Sequence, residues 1–149
     1  MLSLNLMQWS SSLKTRSQGA SHQVFDRVRR KWVALTPEEM VRQLLIQYFI
    51  QEHHFPVSRM SVERKLTILG MIRRYDLVLY DKGAAPFLLA ECKAPLMPLN
   101  QNVLNQAARY NLQLKVPYLF VTNGRQSYCC RIDFEDQSWK FLDQMPQLT

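Results

Sequence analysis

The chain predicts an α+β or α/β fold: one sandwich-like domain of three layers, with a central mixed β-sheet flanked by helices. Three observations carry this. Two segments show helical capping and 3.6-residue periodicity, "TPEEMVRQLLIQYFIQEH" and "NQNVLNQAARYNLQLK". Short β-rich runs lie between and after them, separated by Gly, Pro and Asn-Gly. The resulting order of helix, three strands, helix and further strands suits helices packed on one sheet.

The elements follow in order. Residues 1–23 are rich in Ser and Gln with little periodicity, and read as a loose N-terminal arm ahead of a domain over 24–149. "QVFDRVRRKWVAL" offers one or two short strands. The first helix opens on Thr36 as N-cap, Pro37 at the first helical position and Glu39 completing a T-x-x-E capping box. Val41, Leu44, Leu45 and Tyr48 form its apolar stripe. "SVERKLTILG" and "RYDLVLY" read as strands with Gly70 near their turn; "DKGAAP" is a loop, and "FLLAECKA" is a strand stopped by Pro95 and Pro98. The second helix repeats Val103, Ala107, Tyr110 and Leu114 at helical spacing. "VPYLFVTNG" and "SYCCRIDF" form a hairpin about Asn-Gly, and "SWKFLDQMP" adds an edge strand or short helix.

Composition narrows the function. With 149 residues, 47% hydrophobic and 21% charged, the chain has the size and balance of one soluble globular domain. No apolar run approaches the roughly 20 residues that span a membrane, and the N-terminus lacks the pattern of a signal peptide, so a cytoplasmic location is expected. Cys92, Cys129 and Cys130 lack zinc-type spacing and read as reduced packing residues. The net charge of +7 favours an anionic partner, nucleic acid first. Arg27, Arg29, Arg30 and Lys31, with Arg73 and Arg74, are the basic clusters offered to phosphates; solvated surface charge is the plainer reading of each.

The chemical signal lies in "LLAECKAP", where Glu91 and Lys93 end a hydrophobic strand. If Asp81 and Pro86 close the preceding loop, opposed positions sum to 167 and Asp76 stands across from Glu91. Opposed residues share a face, as do residues two apart on one strand, so Asp76, Glu91 and Lys93 would converge. Two opposed carboxylates repel, and a divalent cation offsets that; Mg²⁺ typically takes one or two carboxylates and completes its shell with water and phosphate oxygens. The plainer alternative has Lys93 neutralising one acid of a surface cluster. On the first helix, taking Val41 as the buried centre, Glu38 lies about 60° away and Glu39 about 160°, using 100° per residue. Glu38 is therefore expected to border the sheet, and Glu39 to face solvent. Gln106 and Tyr110, four apart, share one surface of the second helix.

The combination "RYD-x14-ECK" followed by "Q-x-x-x-Y" resembles the PD-(D/E)XK nuclease superfamily. With "TPEEMVRQ", "RRYDLVLYD", "NQAARYN" and "VPYLFVTNG" it resembles more narrowly the N-terminal nuclease-type domain of type I restriction enzyme R subunits, here as a stand-alone domain. The resemblance covers roughly residues 24–143. Tyr75, not Pro, precedes Asp76. The resemblance implies a restriction-endonuclease-like fold and metal-dependent hydrolysis of DNA, with RNA as the alternative substrate. It implies Asp76 and Glu91 as Mg²⁺ ligands (Mn²⁺ as an alternative), Lys93 as the motif lysine, Glu38 as the first-helix acid, and Gln106 and Tyr110 as the helical motif. A motor or other protein partner is a further expectation. The rival reading is a catalytically idle nucleic-acid-binding or adaptor module that retains the fold.

Overall fold

The computed structural model describes every residue except Leu69 and Thr149, and of Ile68 and Met71 the backbone only. It holds two sheets. The smaller has three antiparallel strands in chain order: β1 (Thr15–Gln18), β2 (Ser21–Asp26) and β3 (Lys31–Ala34). The larger has six: β4 (Met60–Ile68), β5 (Met71–Tyr80), β6 (Pro86–Cys92), β7 (Tyr118–Thr122), β8 (Ser127–Asp133) and β9 (Ser138–Leu142). All neighbours are antiparallel except β6 and β7, which are parallel because helix α2 (Gln101–Asn111) connects them. Helix α1 (Pro37–His53) covers the other face.

Side-chain alternation explains the layers. On β7, Leu119 and Val121 pack with Leu104, Ala107 and Ala108 of α2, while Phe120 between them joins Leu44, Leu45 and Phe49 of α1. On β6, Leu88 and Ala90 face α1, whereas Leu89 joins Val78, Tyr75 and Val116. The sheet is thus buried on both faces, which is why its central strands read as near-continuous apolar runs.

Several expectations need correction. Residues 1–23 are not a loose arm. They form a 3-10 turn (Leu6–Ser12), β1 and the start of β2; Leu2 and Leu6 are buried in the main core, and Leu2 and Leu6 N–H donate to the Ser127 and Gly124 carbonyls at 3.0 and 2.8 Å. The capping box is half made: Thr36 Oγ1 accepts from Glu39 N–H at 3.1 Å, but the Glu39 carboxylate turns elsewhere. On α2 the buried stripe is Leu104, Ala107, Ala108 and Asn111, and Tyr110 is exposed. The helix stops at Asn111, whose amide donates to the Ala107 carbonyl (2.8 Å) and accepts from the Tyr75 hydroxyl (2.9 Å).

The β7–β8 turn packs directly on α1. Gly124 adopts φ +91, a conformation that asks for glycine, and a Cβ there would come into van der Waals contact with Val41 Cγ2 at 3.4 Å. Asn123 in the same turn donates its amide to the Met97 carbonyl at 2.9 Å, tying down the loop that follows Lys93.

Candidate functional site

At the β5–β6 loop the expected closure by Asp81 and Pro86 is not seen: the register shifts after Leu79, and Tyr80 pairs with Pro86. Away from the loop the register is the one counted: Leu77, Val78 and Leu79 pair with Ala90, Leu89 and Leu88. Those pairs end at Leu77 and Ala90, so Asp76 and Glu91 occupy the next positions, where the strands part. Asp76 fills the gap. Its Oδ2 accepts from the Cys92 backbone N–H at 2.7 Å, doing for that donor what a strand partner would otherwise do.

The regular pleat does not hold here. Tyr75 and Leu77, two apart, should share a face, yet Tyr75 lies with Val78 and Leu89, while Leu77 lies in the α1 core. The neighbouring strand shows the same break: β4 pairs Val62 with Leu77 and Arg64 with Tyr75, and omits Glu63, whose φ is +56. A non-glycine residue at positive φ inside a strand is strained, of order 1–3 kcal/mol, and such strain clusters at functional sites. The irregularity turns Asp76 toward α1, where its Oδ1 accepts from Arg42 at 3.2 Å.

Arg42 belongs to a chain of ion pairs running beneath α1. Asp26, wholly buried, pairs with Arg29; Arg29 reaches Glu39 at 2.6 Å; Glu39 holds Arg42 at 3.2 Å; and Glu63 stands 3.5 and 3.6 Å from Arg29 and Arg42. Gln43 adds a third side-chain donor to Glu39 at 3.2 Å. Four carboxylates thus share two buried or half-buried arginines, and the exposed Arg74 stands 3.9 Å from Glu63. The expected roles of Glu38 and Glu39 are therefore reversed: Glu38 is exposed and Glu39 is the acid that faces the site. The reason is that α1 is buried around its whole circumference from Val41 to Phe49, so Val41 does not mark the sheet side. Val41 faces the Gly124 turn, while Glu39, Arg42 and Gln43 share the side toward Asp76.

Glu91 has a different neighbourhood. Its carboxylate pairs with Arg73, whose guanidinium lies 4.1 Å above the ring of Tyr110. Tyr110, Gln106, Arg109 and Gln113 line a shallow surface pocket of about 370 Å³ on α2. The two acids stand at adjoining strand positions, but their carboxylates turn to different helices. Lys93 follows on the same strand end, half-buried, with its backbone N–H on the Thr122 carbonyl at 2.8 Å. Among the described residues its ammonium makes no ion pair; the charges that neutralise the acids are those of Arg42 and Arg73.

Among the described residues no group of three or more His, Cys, Asp and Glu is arranged to hold a metal ion. Asp76 and Glu91 at the strand end are the hard oxygen donors that could serve a cation such as Mg²⁺, which typically takes one or two carboxylates from a protein. The cysteines are buried, and burial pushes the thiols of Cys129 and Cys130 up to about 12 and that of Cys92 well above the usual range.

Of the basic residues, Arg27, Arg30 and Lys31 are exposed at the β2–β3 turn and Arg74 on β5. Arg29 is committed inward to three carboxylates, which leaves it no guanidinium edge for phosphate. Sequence reasoning missed Glu63 and Arg42. Glu63 had one usable signal, its place between Val62 and Arg64, whose partners Leu77 and Tyr75 flank Asp76.

Residues 37–146 match the family model described as type I restriction enzyme R protein N terminus. That span is well over half of the chain, and the chain belongs to this family. No curated protein matches it. Among the described residues no helix is long and apolar enough to cross a membrane.

Proposed function

We propose that this member of the type I restriction R-protein N-terminal family is a metal-dependent nuclease acting on DNA, with RNA as the second candidate. One observation carries the reading. Two carboxylates, Asp76 and Glu91, stand at adjoining positions where β5 and β6 part, with a lysine two residues on that pairs with no acid among the described residues. Asp76 and Glu91 would hold Mg²⁺ or Mn²⁺, which when bound polarises a phosphate and lowers the pKa of its water.

The chain's own residues do the rest. Asp76 is held by two donors, Cys92 N–H and Arg42, so its carboxylate is set before any substrate arrives. Lys93 places a positive charge beside the reacting phosphate and stabilises negative charge as it develops. Glu91 must exchange Arg73 for the cation. Arg73, once released, is a second donor for a phosphate oxygen, and Tyr110 and Gln106 flank it on α2. Exposed Arg27, Arg30, Lys31 and Arg74 supply sequence-independent phosphate contacts.

The second reading, an idle nucleic-acid-binding or adaptor module working with a motor or other protein partner, is favoured by the arginines: each acid already has a cationic partner. Incubation with single- and double-stranded DNA and RNA, in Mg²⁺, Mn²⁺ or chelator, separates the two. The nuclease reading expects metal-dependent cleavage that Asp76→Asn, Glu91→Gln and Lys93→Ala each reduce by about 10²-fold or more. Binding without cleavage by all four proteins on every substrate supports the adaptor.

A further inference from the structure

Residues 1–36 lie outside the stretch that matches the family model, yet they hold six Lys and Arg against one Asp, a net +5 of the chain's +7. The lone acid, Asp26, is wholly buried and paired to Arg29, so the charge left on the surface is all of one sign.

The small sheet arranges that charge around aromatic rings. Alternation sends Val24 and Asp26 of β2 inward, both wholly buried, and turns Gln23 and Phe25 outward. Phe25 pairs with Trp32 across β2–β3, their rings edge to face with centroids 5.5 Å apart, and both are partly buried. Arg16, opposite Gln23 and bonded to it at 2.7 Å, lays its guanidinium 4.2 Å above Trp32; the Lys14 ammonium lies 5.3 and 5.6 Å from the Phe25 and Trp32 rings. Beside Phe25 a pocket of about 690 Å³ opens between the β2–β3 turn and residues 57–60, with Arg27 and Arg30 in its wall.

We infer that the outer face of the small sheet is a stacking platform for single-stranded nucleic acid, with bases on Trp32 and Phe25 and the backbone along Lys14, Arg16, Arg27 and Arg30. Stacked aromatics inside a basic groove are the means by which proteins bind single strands without reading sequence. Paired bases are not available to such a platform, so it prefers a single strand to a duplex. The charge fits an anion, and the rings give what phosphate alone does not need. The inference rests on the reading that this chain engages nucleic acid, but not on cleavage.

The test is fluorescence anisotropy of the full chain in chelator, with a labelled mixed-sequence 15-nucleotide DNA and its duplex, across a salt series. Trp32→Leu keeps apolar bulk without the ring and should weaken single-strand binding by about tenfold while sparing the duplex. Trp32→Phe should restore most of the loss. The double variant Lys14→Ala/Arg16→Ala should lower the single-strand log–log salt slope by about 1.4, about 0.7 for each lost contact. Should Trp32→Leu melt early, the double variant, whose residues are exposed, still decides the question. Unchanged single-strand affinity and slope would overturn the inference. So would equal losses for single strand and duplex, or binding only to an acidic protein. Because binding is read in chelator, where no metal-dependent cleavage runs, failure of the platform is separate from failure of the nuclease reading.

Discussion

The two acids at the end of the β5–β6 ladder differ in how they are held. Asp76 sits in a network with Arg42, Glu39, Arg29 and Asp26, most of it buried and anchored on two elements besides its own strand. Among the described residues Glu91 pairs with one arginine, on a neighbouring strand, resting on an exposed tyrosine. The lesson is about preorganisation. A charge network spread over several elements fixes geometry at a desolvation cost, although Arg42 Nε has no hydrogen-bond partner among the described residues, whereas the lone Arg73–Glu91 pair, its side chains 25% and 12% exposed, fixes less.

The largest effect should come from breaking the buried side. Arg42→Ala leaves Glu39, Asp76 and Glu63 short of a cation, and breaking such a buried pair costs about 3–5 kcal/mol. Denaturant melts check this; a loss no greater than that of Arg73→Ala would erase the distinction. Glu39→Gln comes next, at about 2 kcal/mol, because three side-chain bonds lose their charged acceptor. Its neighbour serves as the control: Glu38→Gln should stay within about 0.5 kcal/mol, as exposed substitutions do. Equal effects would restore Glu38 as the inward acid. Arg73→Ala should cost about 1–2 kcal/mol, since it leaves the largely buried Glu91 carboxylate without its cation but disturbs no wider network. Smallest of all, Tyr110→Leu removes only the ring beneath Arg73, worth about 0.5–1 kcal/mol at an exposed site, and melts should barely move.

The sequence made some of this geometry readable and hid the rest for physical reasons. The β5–β6 register could be counted from the loop because the loop is short and the pairs Leu77–Ala90, Val78–Leu89 and Leu79–Leu88 all keep the same sum. The same count could not foresee the break at Asp76, since a local irregularity obeys no period. The inward acid of α1 was misread because a helix buried all round carries no single stripe. On α2 the stripe was offset to include Tyr110, an aromatic that in fact lies outside beneath Arg73. Leu2 and Leu6, isolated among polar residues, gave no periodic sign that they complete the core over α1.

The central claim, that Asp76 and Glu91 hold a divalent cation while Lys93 acts on the phosphate, is tested most directly by calorimetric titration of Mn²⁺ into wild type, Asp76→Asn, Glu91→Gln and Lys93→Ala. Mn²⁺ tolerates less regular coordination than Mg²⁺ and reports a weak site. The account predicts that each acid variant loses at least about tenfold in affinity. Lys93→Ala should keep its affinity or gain, because a nearby positive charge has been removed. Equal Mn²⁺ affinity in all four proteins, or no binding by the wild type, would contradict it.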